Sequence, residues 1–484
     1  MQSENHPSRS APWQLSLDEI ARATQGKLLK KADVDFVSGV VTDSRKACGG
    51  ALFVALRGAN FDAHDFLPKA VASGAQALLI DRLDDQVLAL PVAVIQVADT
   101  LRGLQQLAQF WRRRNPARIL AVTGTNGKTT TKDFTQRILS ARYQVSASQG
   151  SLNNHWGVPL SLLAVAPHHE VAIIEMGMNH AGEIQQLVTI AEPDVVGVTM
   201  VGRGHLEGMG SIEAVAAAKE EIYRYASPTA TKIFNLDNPH TAAMYEHYRQ
   251  VAASNGLITF SQDPKRGAQV SLQAAQMSLH GMQVKGHIQQ VPVDVQVPVF
   301  GKQNITNLMM AACLSLAAQM PAVEVAAALP RCQTSWGRNQ LLSLSSGAQV
   351  LFDAYNANPE SMAALLTNLA ELNWVGEKIA VLGEMRELGA TSADLHFELG
   401  ERAAQVGFSH IWFVGPHGGS FAAGLRAGGF NNNLLVSDIY EESLAQKMAS
   451  VIGSQDIVAV KGSRGVGLER FLEVLAPPNY QAKS

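Results

Sequence analysis

The chain has 484 residues, 46% hydrophobic and 17% charged, with a net charge of -3. That length is too great for one ordinary core, so about two to three domains are expected. The near-neutral charge carries no basic footprint for nucleic acid, and no run of about 18 uninterrupted apolar residues marks a membrane span.

Residues 1–12 are polar, with three serines, and lack the apolar stretch of a secretory signal; they read as a disordered tail. Residues 13–98 form a first unit. Its pattern gives a helix at 17–23, a strand running into a polar turn at 40–45, a strand at 51–56, a helix at 66–73 and a strand at 77–80. Ser44, Arg45 and His64 lie in loops between the strands. They are either ligand groups or, as the local pattern favours, solvated turn residues.

Residues 99–328 form a second unit. Residues 101–113 are an amphipathic helix ended by Asn115-Pro116. Residues 117–131 read Ala-Arg-Ile-Leu-Ala-Val-Thr-Gly-Thr-Asn-Gly-Lys-Thr-Thr-Thr: a buried strand, a small-residue loop, then a helix. Gly124 and Gly127, with Thr125 and Asn126 between them, let the backbone turn tightly and aim N–H groups at an anion. The helix adds its positive N-terminal end. Lys128 supplies a cation for the phosphates of ATP, and Thr129, with Thr130 beside it, a hydroxyl for Mg2+. The spacing departs from the strict phosphate-loop pattern, since Val122 stands where a glycine is expected.

Strands at 171–176, 195–200 and 232–236 then alternate with helices at 181–190 and 212–225, which argues a parallel sheet with helices on both faces. Glu175 ends a strand expected beside the phosphate-loop strand, where a carboxylate can hold Mg2+. His205, expected one strand along from Glu175, is either a loop histidine or part of a second metal site. Lys219 reads as a solvated helical lysine paired with a nearby Glu. Asn235, Asp237 and Asn238 either cap a turn or grip adenine, and Asn153 and Asn154, in a polar loop before a helix, carry the same ambiguity. Between 269 and 300 the period changes to two, the mark of antiparallel strands. Prolines in Val291-Pro-Val-Asp-Val-Gln-Val-Pro-Val299 place the second strand at an edge. Residues 305–318 are expected to be the last helix of this unit.

Residues 329–484 form a third α/β unit with strands at 350–353, 378–382, 411–414 and 457–460. Ligands of open parallel sheets sit beyond the carboxyl ends of the strands, where Asp353, Tyr355, Asn356, Glu384, Lys461 and Arg464 fall. Three scattered cysteines, Cys48, Cys313 and Cys332, read as reduced cytosolic thiols.

Together these residues resemble the Mur ligase family of ATP-dependent amide-bond-forming enzymes, over about residues 35–475. The motifs are Thr123-Gly-Thr-Asn-Gly-Lys-Thr129, Asn153-Asn154, Glu175-Met-Gly177, Gly204-His205, Lys219-Glu220, Asn235-Leu-Asp-Asn238, Asn304 to Asn307, Gly337-Arg338 and Lys461-Gly-Ser-Arg464. Within the family, Phe352-Asp-Ala-Tyr-Asn-Ala-Asn-Pro-Glu-Ser-Met362 and Gly383-Glu-Met-Arg-Glu-Leu-Gly389 resemble the branch that adds D-alanyl-D-alanine to a UDP-N-acetylmuramoyl-tripeptide through an acyl phosphate.

The resemblance implies three α/β domains: a small N-terminal UDP-sugar domain, a central phosphate-loop ATPase domain with an added antiparallel segment, and a C-terminal Rossmann-like domain. It implies that Ser44 and Arg45 serve the UDP-sugar, with Asn153 and Asn154 also on the substrate side. Thr129 and Glu175 would hold one Mg2+, and His205 with a carbamylated Lys219 a second. ATP contacts are implied for Asn235, Asp237, Asn238, Asn304, Asn307, Arg338 and, at the ribose, Asp353; a dipeptide pocket is implied around Tyr355, Asn356 and Asn358. A cytoplasmic monomer is expected. Three departures from the family pattern are Gln303 where His is frequent, Asp62-Ala-His64 for Asp-Gly-His, and Phe352 for a second Asp. The rivals are a diaminopimelate- or lysine-adding muramyl ligase, a folylpolyglutamate synthase, and a non-catalytic nucleotide-binding scaffold. The Tyr355 to Pro359 stretch argues against the other ligases, and paired metal sites argue against the scaffold.

Overall fold

Short apolar runs bounded by glycine and asparagine turns build three main sheets, one for each of three α/β domains, besides a two-stranded pairing of Leu15–Ser16 with Phe36–Val37. The computed structural model describes residues 13–46, 48–58, 60–251 and 256–478; the expected tail at 1–12 lies outside them. No helix among the described residues is long and apolar enough to cross a membrane.

The central sheet has nine strands. Their spatial order is Val291–Val297, Gly281–Ile288, Val270–Ser278, Leu257–Phe260, Thr231–Asn235, Val195–Val198, Arg118–Thr123, Val171–Glu175 and Val145–Ala147. The last six are parallel to one another, and the inner strands Val195–Val198, Arg118–Thr123 and Val171–Glu175 are almost wholly buried and mostly apolar. Ala121, Ile174 and Val198 face one core with Leu104, Leu187 and Ile222; Leu120, Val122 and Ile173 face the other with Phe134, Leu308 and Met310. The period-two segment is antiparallel, as expected, and joins the same sheet through the Phe260–Val270 pairing. The proline-bearing strand is the outer edge, where a missing N–H breaks no ladder.

Two expectations need correction. Val195–Val198 and Val171–Glu175 flank the phosphate-loop strand on opposite sides, so His205 stands two strands from Glu175, across the loop. The doubly wound strand order, invisible in local pattern, puts the loop between them. Asn304–Ala317 is not the last helix of its unit, because Ala322–Ala328 follows. The short strands Val145–Ala147 and Asn433–Ser437 had no clear alternation to announce them.

The C-terminal sheet runs Gln340–Ser343, Gln349–Phe352, Ile457–Lys461, Lys378–Gly383, Phe408–Val414, Asn433–Ser437, parallel except for the first pair. Leu351, Leu382 and Phe413 face one core, and Val350, Val381 and Trp412 the other. The N-terminal sheet has five strands, ordered Lys27–Lys30, Ala93–Gln96, Ala77–Ile80, Leu52–Val54, Val40–Val41. Its core continues through helix Thr100–Arg114 into the central domain. Trp13 and Trp111, with rings 5.9 Å apart, donate across that joint to the carbonyls of Leu163 and Val165 at 2.7 and 2.9 Å.

Ser16 caps helix Leu17–Ala23, and Glu19 closes the capping box. Glu19 also accepts from Arg114 at 2.5 Å, tying the first helix to the helix that leads into the phosphate-loop strand. The Arg114 bond, then the Ser16 bonds, hold the Glu19 carboxyl at about 2 against an ordinary 4.5. A carboxyl depressed by folding stabilises above its unfolded pKa and loses that effect as pH falls through its folded value. Glu19→Gln is therefore expected to lower the melting temperature at neutral pH, with the gap to the parent closing as pH falls from 4.5 to about 2. Thermal melts across that window check it.

Candidate active site

Gly127 is left-handed, at φ 82°, and starts helix Lys128–Leu139; Gly124 has φ 150°. A Cβ at Gly124 would run into the Thr199 hydroxyl, and one at Gly127 into the Asn307 side-chain amide. The loop is thus packed against its neighbours where the backbone must turn. The Thr199 hydroxyl donates to the Asn126 carbonyl at 2.5 Å and holds the loop open towards the cleft. Lys128 folds back, donating from Nζ to the Gly124 carbonyl at 2.7 Å. Removal from water lowers its pKa, and Glu175 opposes that shift.

The loop floors a cavity of about 560 Å³, within the size range of small-ligand sites. Glu175 is buried in its wall. Its Oε1 accepts from Asn153 at 2.7 Å, while Oε2 is shut from solvent with no hydrogen-bond partner. Asn154 accepts from the Gly157 N–H at 2.9 Å. Asn235 and Asn238 donate to the carbonyls of Thr199 and Val201 at 2.8 and 2.9 Å, and Asp237 accepts from the Gln262 N–H at 2.7 Å. Asn307 donates to Asn304 Oδ1 at 2.9 Å, and Asn304 to the Phe300 carbonyl at the same distance.

The third domain closes the cavity. Asn126 and Asn358 exchange amide hydrogen bonds at 3.1 and 2.8 Å. Asn358 also caps helix Pro359–Glu371. Arg338 donates to the Thr129 hydroxyl at 3.0 Å and lies 4.3 Å from the centre of the Tyr355 ring. The Tyr355 hydroxyl donates to Ser151 at 2.7 Å. Buried Lys461 bridges Asp353, at 2.7 Å, and the Asn356 carbonyl, at 2.9 Å.

Three family models match the chain in order. They are the Mur ligase family catalytic domain at 36–112, the Mur ligase middle domain at 122–315, and the Mur ligase glutamate ligase domain at 337–464. The UDP-N-acetylmuramoyl-tripeptide–D-alanyl-D-alanine ligase of Escherichia coli K12 is 34% identical over 467 residues, covering 95% of this chain and 98% of that one. The chain belongs to the Mur ligase family. Among solved structures it is similar to MurF from Acinetobacter baumannii, with a TM-score of 0.85 and 29% identity over 96% of this chain and 100% of that one. It is also similar to MurF ligase from Thermotoga maritima in complex with ADP, with a TM-score of 0.75 and 26% identity over 90% and 96%.

In this Mur ligase the cavity gathers most of the residues singled out in the sequence, from Thr125 to Thr130, through Asn153, Asn154, Glu175 and His205, to Arg338, Asp353, Tyr355 and Asn356. Gly124, Lys219 and Asn358 do not line it. Ser44 and Arg45 lie outside it, in the N-terminal domain; Arg45 pairs with Asp43 at 2.8 Å, and Ser44 is buried. Arg45 is exposed in a turn, as the local pattern favours, whereas His64 is buried with Nδ1 2.6 Å from Asp62.

Lys219 overturns its local reading. It is 1% exposed and makes no hydrogen bond or ion pair among the described residues. Burial first, then the Lys128 charge, pushes its pKa well below the usual lysine value. Helical spacing could not show that this face packs inward. Asn358, expected near a dipeptide pocket, pairs with Asn126 and caps its helix. His205 sits with Nδ1 2.7 Å from Glu387 of the third domain, off the line of a good hydrogen bond, and holds that carboxyl below its ordinary pKa. Lys132 and Thr199 were not singled out in the sequence, and Glu360 and Glu387 entered only within the quoted motifs, without a role of their own. Thr199 had a signal, as a polar residue closing a buried parallel strand. Lys132 is buried and donates to the Ser148 carbonyl at 2.7 Å, holding the loop before Asn153.

Gly127→Ala places a side chain at a left-handed position against Asn307 and is expected to cost about 1–3 kcal/mol of stability. Urea unfolding of parent and variant measures it.

Proposed function

We infer that this chain is an ATP-dependent ligase that joins D-alanyl-D-alanine to UDP-N-acetylmuramoyl-tripeptide, yielding ADP and phosphate. The carrying observation is the docking of the stretch around Tyr355 and Asn358 onto a phosphate loop, in a chain related end to end to ligases of that name.

The tripeptide carboxylate is a poor electrophile. Its attack on the γ-phosphorus of ATP forms an acyl phosphate and releases ADP. The neutral amine of the dipeptide then adds to the acyl carbon, and the tetrahedral intermediate collapses as phosphate leaves with the bonding pair. Loop amides, Lys128 and Arg338 face the transferring phosphoryl group with positive charge. The Asn126–Asn358 and Arg338–Thr129 contacts bring the third domain to the loop, which excludes water and orients the amine. Asn235, Asp237, Asn238, Asn304 and Asn307 shape the nucleotide end by fixing backbone, and Asp353, oriented by Lys461, is assigned to the ribose. Ser44 and Arg45 are assigned to the UDP-sugar, and Asn356 to the dipeptide pocket.

The residues fit Mg2+. The unpartnered Glu175 Oε2 is an orphaned hard oxygen beside the loop, and Thr129 offers a hydroxyl. No cluster of three His, Cys, Asp or Glu side chains among the described residues suits a metal, in keeping with an ion that draws its other ligands from phosphate and water. When bound, Mg2+ neutralises phosphate charge. His205 and Lys219 are assigned to a second ion. An unpaired, buried Lys219 amine with a lowered pKa is neutral enough to add to CO2, forming an N–C bond and releasing one proton to leave a carbamate. Every group named comes from one chain, and we place the enzyme in the cytoplasm as a monomer.

Phosphate release from ATP is expected only when UDP-N-acetylmuramoyl-tripeptide and D-Ala-D-Ala are both present. Release with UDP-N-acetylmuramoyl-dipeptide plus diaminopimelate or lysine instead would move the chain to a neighbouring ligase. Lys219→Ala is expected to lose about 10²-fold or more in kcat, as for loss of a charge-stabilising group. Short carboxylic acids are expected to restore part of the rate, and titrating them against the variant checks it.

A further inference from the structure

Glu360, in the first turn of helix Pro359–Glu371, lines the cavity. Its Oε1 accepts from Arg203 Nε at 3.1 Å. The same guanidinium lies 3.8 Å from Glu398, so two carboxylates share one cation. Glu360 Oε2 is shut from solvent and has no hydrogen-bond partner. It packs against Gly202, where an added Cβ would sit 3.1 Å from it. The Gly202 N–H in turn donates to the Thr125 hydroxyl in the phosphate loop at 2.9 Å. A carboxylate with one oxygen paired and one without a partner thus stands one residue away from the loop, in the same cavity wall as the cations Lys128, Arg338 and Lys461 and the acids Glu175 and Asp353.

Such a group repels a phosphate and complements a cation. The amine substrate arrives as an ammonium and has to reach the acyl carbon beside this loop. We propose that Glu360 anchors the ammonium of the incoming dipeptide, with Arg203 fixing the carboxylate and Oε2 receiving the N–H. Its place two residues after Asn358 makes the geometry follow from domain docking: the clamp that seats the third domain on the phosphate loop also sets the anchor. This inference rests on the ligase reading above and adds to it the residue that recognises the amine.

The test uses the full-length parent with Glu360→Gln and Glu360→Asp. Phosphate release gives KM and kcat for each substrate in turn. In a second arm hydroxylamine, a neutral nucleophile that needs no carboxylate anchor, replaces the dipeptide and captures the acyl phosphate as a coloured hydroxamate. Glu360→Gln is expected to raise the KM for D-Ala-D-Ala about 10- to 100-fold, the loss of one charge-assisted hydrogen bond. The KM values for ATP and the UDP-substrate and the hydroxamate rate are expected to hold, and Glu360→Asp to fall between. An unchanged dipeptide KM overturns the proposal. So does a rise confined to the UDP-substrate, which would assign the carboxylate to an ammonium on the tripeptide, or loss of hydroxamate, which would assign it to phosphoryl transfer. Should Glu360→Gln fail to fold by thermal melt, Glu360→Asp carries the same criteria. No hydroxamate from the parent itself would overturn the ligase reading, and this inference with it.

Discussion

Asn126 and Asn358 each donate to and accept from the other's amide, 232 residues apart in the chain. One sits in the middle of the phosphate loop and the other caps the first helix of the third domain after its entry strand. The pair sets how far the third domain comes down on the loop, and so whether Arg338 reaches Thr129 and Tyr355 reaches Ser151. Each such bond adds only about 0.5–1.5 kcal/mol net. A handful of them holds a closed site without locking it, as an enzyme that admits three substrates and releases three products requires.

The loop is also where charge is least balanced. Lys128 and Lys219 repel one another in the same poorly solvated region, and both have lowered pKa values. Glu175 meets Lys128 with one partnered and one unpartnered oxygen. Isolated charges in such surroundings are costly. Phosphates, hard cations and a carbamate are the kinds of group whose charge complements these side chains. The Glu360 wall repeats this with the opposite sign, where one guanidinium serves two carboxylates.

The helix around Lys219 shows where pattern reasoning stops. Its solvated reading followed from a Lys-Glu-Glu run on an amphipathic helix, which is sound for most helical lysines. Packing of that helix against the sheet buries the amine instead. Asn153 and Asn235 went the other way: each was ambiguous between backbone support and ligand contact, and the structure shows them holding Glu175 and the end of a neighbouring strand. His205 was expected beside Glu175 and stands across the phosphate loop, since strand order depends on crossovers that no local window records.

Local chemistry was enough for what depends on neighbours in the chain. The strand–loop–helix of residues 118–139, the alternation that makes a parallel sheet, the period-two edge hairpin and the family motifs are all readable because glycine conformation, apolar period and short spacings act within a few residues. The tertiary structure alone decided which polar groups share a wall. Asn126 with Asn358, Thr129 with Arg338, His205 with Glu387 and Arg203 with Glu360 are separated by well over a hundred residues each. Their meeting depends on how two sheets and their helices pack, a sum of many weak apolar contacts that no single stretch of sequence encodes.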